Sequence, residues 1–189
     1  CRNADNGKDL YVSVDKTRFI VFWAKNPAPL LPLLPILKQK EIVCYIQYTL
    51  NDYVAEGLEP NVPPLAERIE TFKRLVDELG FGSVVWRFDP LILTDKITAD
   101  DLLHKISNIA DNLRGYAEKL VFSFADISSY RKVGRNLYET GINYREWAEA
   151  EMVDFSRRLA DLNLGLELAT CAERVDLSKF EISHNRCID

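Results

Sequence analysis

Five short runs of apolar, β-branched and aromatic residues recur along the chain: Arg18 to Trp23, Ile42 to Thr49, Ser83 to Asp89, Lys119 to Ala125 and Leu164 to Thr170. Each is strand-length and nearly continuous in apolar character, whereas a sheet with one wet face alternates. Such runs are the pattern of strands buried on both faces, as in parallel sheets covered by helices. The intervening segments carry helical periodicity. Leu65, Ile69, Phe72, Val76 and Leu79 follow a Pro63–Pro64 start and run to Gly80; Thr98 is an N-cap with Asp101 three residues on, ahead of Leu102, Ile106, Ile109 and Leu113. Ala148, Met152, Phe155, Leu159 and Leu162 form a third stripe, a shorter helix covers Ser129 to Glu139, and the prolines at 29, 32 and 35 reduce Pro27 to Lys40 to a helical turn or two.

The order β-α-β-α-β-α-β-α-α-β predicts a parallel α/β fold: an open doubly wound sheet, or a partial or complete (β/α) barrel of TIM-barrel type. The first strand-to-helix turn, Trp23-Ala24-Lys25-Asn26-Pro27, has no glycine, and the chain lacks G-x-x-x-x-G-K-[ST]. A dinucleotide fingerprint and a P-loop are both missing, which favours the barrel. With 189 residues, 47% of them hydrophobic, one domain over 1–189 has enough core without staples. Against 29 acidic residues stand 24 basic ones, for a net charge of −5, so nucleic acid is not indicated by charge. No run approaches a membrane span; Leu30 to Leu37 is short and broken by Pro32 and Pro35. The four cysteines form no close-paired framework, and no secretory signal heads the chain, so a reducing cytoplasm is the expected location.

In either fold the chemistry sits at the carboxyl ends of the strands. Polar residues there are Lys25 and Asn26; Gln47, Thr49 and Asn51; Arg87 and Asp89; Ser123 and Asp126; and Glu167, Thr170, Cys171 and Glu173. Buried unpaired charge is costly, so Arg87, Asp89 and Glu167 are expected to pair with one another or with a ligand. One outcome is a structural ion-pair network closing a barrel mouth. Another is catalysis by Arg87, Asp89, Asp126 and Glu167, with Lys25, Asn26, Thr49 and Asn51 supplying hydrogen bonds to a small-molecule or macromolecular substrate. Carboxylates at a barrel mouth also admit a glycosidase-like hydrolase, with Asp89 and Glu167 or Asp126 as acid and base. A mouth that binds a ligand without turnover is the third reading. Trp23, Tyr45, Tyr48, Tyr53, Trp86, Phe88, Phe122 and Phe124 are candidates to stack on a sugar or a base, though their alternation along strands reads as core. Surface runs such as Glu67-Arg68 read as solvated helix faces.

Histidines number two. His104 falls on the polar side of a helix, whereas Cys171, His184 and Cys187 gather after the last strand with H-x-x-C spacing. Thiolates and an imidazole suit zinc or an iron–sulfur cluster; the plain alternative is that both cysteines are small buried hydrophobes.

The segments Phe22-Trp23-Ala24-Lys25-Asn26-Pro27, Tyr48-Thr49-Leu50-Asn51, Glu59-Pro60-Asn61-Val62-Pro63, Trp86-Arg87-Phe88-Asp89-Pro90, Ser123-Phe124-Ala125-Asp126, Thr170-Cys171-Ala172-Glu173 and Cys187-Ile188-Asp189 occur in that order. Together they resemble the bacterial family catalogued as domain of unknown function 1848. The resemblance implies similarity to radical S-adenosylmethionine enzymes: a C-terminal C-x-x-x-C-x-x-C stretch holding a [4Fe–4S] cluster, with S-adenosylmethionine as cofactor and an unknown substrate. It also implies segments before and after this sequence, an arginine pair before an aspartate among them. Cys171 and Cys187 match family positions and are the expected metal ligands within it.

Overall fold

The computed structural model describes residues 15–129 and 131–185, with the backbone alone at 131 and 132. Cys1 and Cys187 lie outside the described residues. The elements run β1 (Phe19–Ala24), a 3-10 turn (Ala28–Leu33) leading into α1 (Leu34–Gln39), β2 (Val43–Thr49), α2 (Leu65–Leu79), β3 (Val84–Leu91), β4 (Leu93–Thr94), α3 (Ala99–Asn112), β5 (Lys119–Phe124), α4 (Arg131–Glu139), β6 (Tyr144–Arg145), α5 (Glu149–Asp161), β7 (Glu167–Thr170), a second 3-10 turn (Ser178–Phe180) and β8 (Ile182–His184). All five expected strands form. The helix stops and starts follow the expected chemistry: Gly80 ends α2 at φ 95°, and at α3 Thr98 Oγ1 accepts from Asp101 N (3.2 Å) while Asp101 Oδ2 accepts from Thr98 N (2.8 Å). The short β8 and the antiparallel β4–β6 ribbon carry no strong apolar pattern and were not expected.

Six strands make one parallel sheet in the order β1-β2-β3-β5-β7-β8. The order follows the chain and never reverses, unlike a doubly wound sheet. Right-handed crossovers repeated in one direction carry the crossover helices to the same face, and the burial of α2, α3 and α5 agrees. One core joins Ile46, Tyr48, Trp86, Phe88, Leu120, Phe122 and Leu168 of the strands to Phe72, Leu75, Ile106, Ile109, Phe155 and Leu159 of α2, α3 and α5. A separate small cluster, Val85, Val121 and Ala169 with Tyr45 and Cys171, lies on the other face and contains no helix residue. Among the described residues the sheet does not close on itself, so the parallel α/β class is observed and the barrel is not.

The ring N–H and hydroxyl groups of the buried Trp86, Trp147 and Tyr53 are matched. Trp86 Nε1 donates to Leu50 O and Trp147 Nε1 to Leu91 O, both at 2.9 Å, and the Tyr53 hydroxyl donates to Pro90 O (2.9 Å) while accepting from Ile92 N (3.2 Å). Phe124, Trp147 and Phe155 pack edge to face with centroids 4.9 to 5.9 Å apart, tying β5 to α5. Phe122, fully buried at the centre of β5, leaves a cavity the close-packed core cannot refill when truncated. Phe122→Ala is therefore expected to lower the unfolding free energy by about 3–5 kcal/mol in urea denaturation.

Candidate functional site

On β3 the side chains of Trp86 and Phe88 enter the helix-side core, so Val85, Arg87 and Asp89 face the other way. Register then sets Arg87 beside Thr49 of β2 and Val121 of β5. The guanidinium donates from Nη1 to Gln47 Oε1 (3.1 Å) and from Nε to Asp89 Oδ2 (3.1 Å), with Nη2 also paired to that carboxylate oxygen. The Ser123 hydroxyl donates to the other oxygen, Oδ1. Burial opposes the charge on Arg87, but its bonds to Asp89 and Cys171 outweigh burial and hold its pKa above the usual guanidinium range. The expected pairing of Arg87 with Asp89 is thus met, at the carboxyl end of a central strand.

Behind this pair a second buried network fixes the Asp89 peptide. Asn51 is fully buried; its Oδ1 accepts from Asp89 N (2.9 Å) and its Nδ2 donates to Asp89 O (3.3 Å) and Glu59 Oε1 (3.3 Å). Glu59 is held in turn by Lys25 Nζ at 2.5 Å and Arg68 Nη1 at 3.5 Å. Hydrogen bonds run unbroken from the end of β1 through the loop after β2 to β3 and β5. Arg68, expected on a solvated helix face, is 1% exposed. It lies on the side of α2 that meets Glu59, and its own carbonyl accepts from the Tyr48 hydroxyl (3.1 Å).

On the β7 side, Glu173 reaches over β5, accepting from Phe124 N at 2.7 Å. Burial raises its pKa most; the amide bond counteracts, and the nearby charges of Asp89 and Asp126 push it further up. Asp126 is exposed in the loop after β5, where Ser128 Oγ (2.9 Å), Ser129 N (3.2 Å) and Ser129 Oγ (2.6 Å) donate to it. Those hydrogen bonds, the serine hydroxyls foremost, hold its pKa below the usual range. Cys171 sits at the end of β7 in the small cluster facing Arg87, and Cys44 is buried on the helix side.

Of the residues read from the sequence, Arg87, Asp89, Asn51 and Lys25 fall into the connected network. Thr49 stands beside Arg87 in register, and Cys171 and Asp126 lie at the same end of the sheet. Asn26 serves its own turn, its Oδ1 accepting from Ala28 N (3.3 Å). Glu167 is not brought here. Gly165, at φ 72°, turns the chain so that Glu167 opens β7 opposite Lys119, whose Nζ lies 3.3 Å from its carboxylate at the amino end of the sheet. The expected pairing of Glu167 with Arg87 or Asp89 is therefore corrected. Gln47, Ser123 and Glu173 were legible as strand-end polar groups without being singled out; Glu59 stood only in a family-like segment with no role attached, and Arg68 read as a solvated helix face. His184 lies on β8, its Nδ1 3.4 Å from Thr170 Oγ1. Among the described residues no group of three or more His, Cys, Asp or Glu side chains is arranged to hold a metal ion.

Residues 2–189 match the family described as Domain of unknown function (DUF1848). The chain belongs to that family. No curated protein and no solved structure matches it. The match covers essentially the whole chain, so the buried network is part of the DUF1848 domain itself. No helix of the described DUF1848 chain is long and apolar enough to cross a membrane.

Asn51, fully buried, satisfies both the N–H and the C=O of the Asp89 residue. Asn51→Ala is expected to cost about 1–3 kcal/mol for the polar groups left unpaired, read from urea denaturation. Thr49→Ala, at a half-buried position one step away, is the control that should change stability by less.

Proposed function

We propose that the DUF1848 domain is an enzyme whose active site is the carboxyl end of the β2–β3–β5–β7 sector, and that the sheet is a sector of a (β/α) barrel whose interior is the helix-free face. The unreversed strand order supports the second part. The observation that carries the first is the Asp89 carboxylate. It is gripped by Arg87 and Ser123 on a floor of Val85, Val121 and Ala169, yet its side chain remains 25% exposed.

The chemistry this arrangement supports is acid–base. Glu173, its proton affinity raised by burial, is the candidate proton donor, and Asp89 is the acceptor that orients and receives a substrate hydrogen. Arg87 and Ser123 hold the acceptor in one orientation, Asn51 sets its backbone, and Asp126 supports the protonated form of Glu173 through its charge. Hydrolysis is the reaction class that such a pair serves without further groups. Chromogenic glycosides, esters and phosphate esters are the substrates to test. Asp89→Asn and Glu173→Gln are each expected to lower turnover of any responsive substrate by about 10²–10⁴-fold with the fold retained, as followed by circular dichroism. Loss of fold in Asp89→Asn with full activity in Glu173→Gln would make the network structural instead.

The raised Glu173 pKa also sets a direction in pH. The native state binds this proton more tightly than the unfolded chain, so its contribution to stability is fully present below the ordinary value of 4.5 and is lost as pH rises through the raised native value. Glu173→Gln is expected to remove that fall, measured as urea midpoints of variant and wild type from pH 4 upward.

A second reading, radical S-adenosylmethionine-like chemistry, comes from the family resemblance and from Cys171 facing the same mouth. The described residues put one thiol there, whereas a [4Fe–4S] cluster takes three or four. They do not by themselves fit a cluster, and the acid–base reading uses none. Anaerobic reconstitution with iron and sulfide decides between the two: visible absorption that disappears in Cys171→Ala supports the cluster reading, and a colourless protein that hydrolyses its substrate supports the first.

A further inference from the structure

Strands β5 and β7 are joined by a parallel ladder whose rungs can be followed to its end. Glu167 N donates to Glu118 O at 3.0 Å and Cys171 N to Phe122 O at 2.9 Å, with Phe122 opposite Thr170. Donors on β5 alternate with these, so the rung after Cys171 N belongs to Phe124 N, and its regular acceptor is Cys171 O. That bond is not made. Phe124 N donates to Glu173 Oε1 instead, at 2.7 Å. A side chain has taken a backbone position in the sheet, and the Cys171 carbonyl is left out of the ladder.

The substitution coincides with a backbone outlier. Ala172, between the displaced carbonyl and the intruding carboxyl, has φ 60°. The left-handed region is unfavourable for alanine, whose Cβ crowds a neighbouring carbonyl, and residues held there cluster at switch regions and active sites. The Cys171 C=O and the Ala172 N–H belong to one peptide unit. A flip of that unit carries the carbonyl toward the ladder and takes Ala172 out of the left-handed region in a single motion. The strain and the missing rung therefore share one remedy. What opposes it is the bond from Phe124 N to Glu173.

This rung lies at the mouth. Phe124 follows Ser123, whose hydroxyl holds Asp89 Oδ1, and Glu173 is the proton donor of the reading above. We propose that the Cys171–Ala172 peptide is a two-state latch. Closed, it has Glu173 on Phe124 N and Ala172 left-handed; open, Cys171 O completes the rung and the Glu173 carboxyl is released to a substrate. A ligand that hydrogen-bonds Glu173 favours the open state, because it replaces the bond that holds the latch shut. The bearing of the latch on catalysis rests on the mouth being the active site; the two states themselves do not.

The test is amide hydrogen exchange of the isotope-labelled full chain by NMR, together with the Cα chemical shift at position 172, which separates left-handed from extended backbone. In Glu173→Ala the latch is expected to open: position 172 becomes extended, and the Phe124 amide, now bound to Cys171 O, stays protected within about tenfold of wild type. Exchange at Phe124 faster by about a hundredfold or more, or a position 172 that remains left-handed, overturns the latch and makes Glu173 a simple cap. Ala172→Val, disfavoured in left-handed backbone, is expected to show the open signals with Glu173 in place, and Ala172→Gly the closed ones. A folded Ala172→Val that stays left-handed also overturns the proposal. Protection at Leu120 and Phe122, in the middle of β5, certifies the fold of each variant; should Ala172→Val fail there, Glu173→Ala decides. None of these signals depends on turnover. A working latch in a domain without hydrolytic activity overturns the active-site reading alone, and a fixed rung in an active domain overturns the latch alone.

Discussion

Everything about this domain's polar chemistry depends on a constraint of chirality. A strand, helix and parallel strand in the same sheet wind right-handedly, and here the winding proceeds in one direction from β1 to β8. Helices α2, α3 and α5 consequently pack on one side, where they close a large apolar core. The other side is left with small residues at its centre, Val85, Val121 and Ala169. Charged side chains, which the helix side admits only as the matched Arg68 and Glu59, have room on the second, and strand alternation then decides which residue meets which. Trp86 and Phe88 take the core; Arg87 and Asp89 between and beyond them have no choice but the other face.

A carboxylate held this way is more than a surface ion pair. Exposed pairs elsewhere in the molecule, such as Arg157 with Asp154 and Asp161, are each at least half exposed on both partners and contribute little to stability. Arg87 is nearly buried, so removing either partner leaves a charge where water reaches poorly. The same asymmetry applies to Glu59, which receives Lys25, Asn51 and Arg68 together. Two carboxylates, one buried and one partly open, are linked through the single amide of Asn51. The buried one is anchored; the open one is the one with a free side.

Much of this was legible in the sequence. Near-continuous apolar runs gave the parallel strands, and polar residues at the ends of those runs named Arg87, Asp89, Asn51 and Lys25. Core membership followed the alternation for Tyr48, Tyr53, Trp86, Phe88, Phe122 and Phe124, all buried. Trp23 departed from it, 53% exposed on β1, which is an edge strand among the described residues. Glu167 departed because the position of Gly165 decides where the strand begins, and apolar Leu164 and Leu166 disguise a turn as sheet. Arg68 and Glu59 were hidden for a simpler reason: a helix arginine and a loop glutamate are usually solvated, and only tertiary contact shows that these two are matched to each other.

The network's membership has a consequence for how the chain is made. Lys25, Glu59, Asn51, Arg87 and Asp89 come from the first three strands and their loops, whereas Ser123 follows on β5 and Glu173 only after β7. By the time β3 has been made, every residue of the anchored half is present in the chain, while the hydroxyl that meets the other oxygen of Asp89 is still to come. Each later crossover adds one donor or one acid, in the order of translation. Glu173 arrives last, so the composition of this end of the sheet is complete only once the chain has been made past β7.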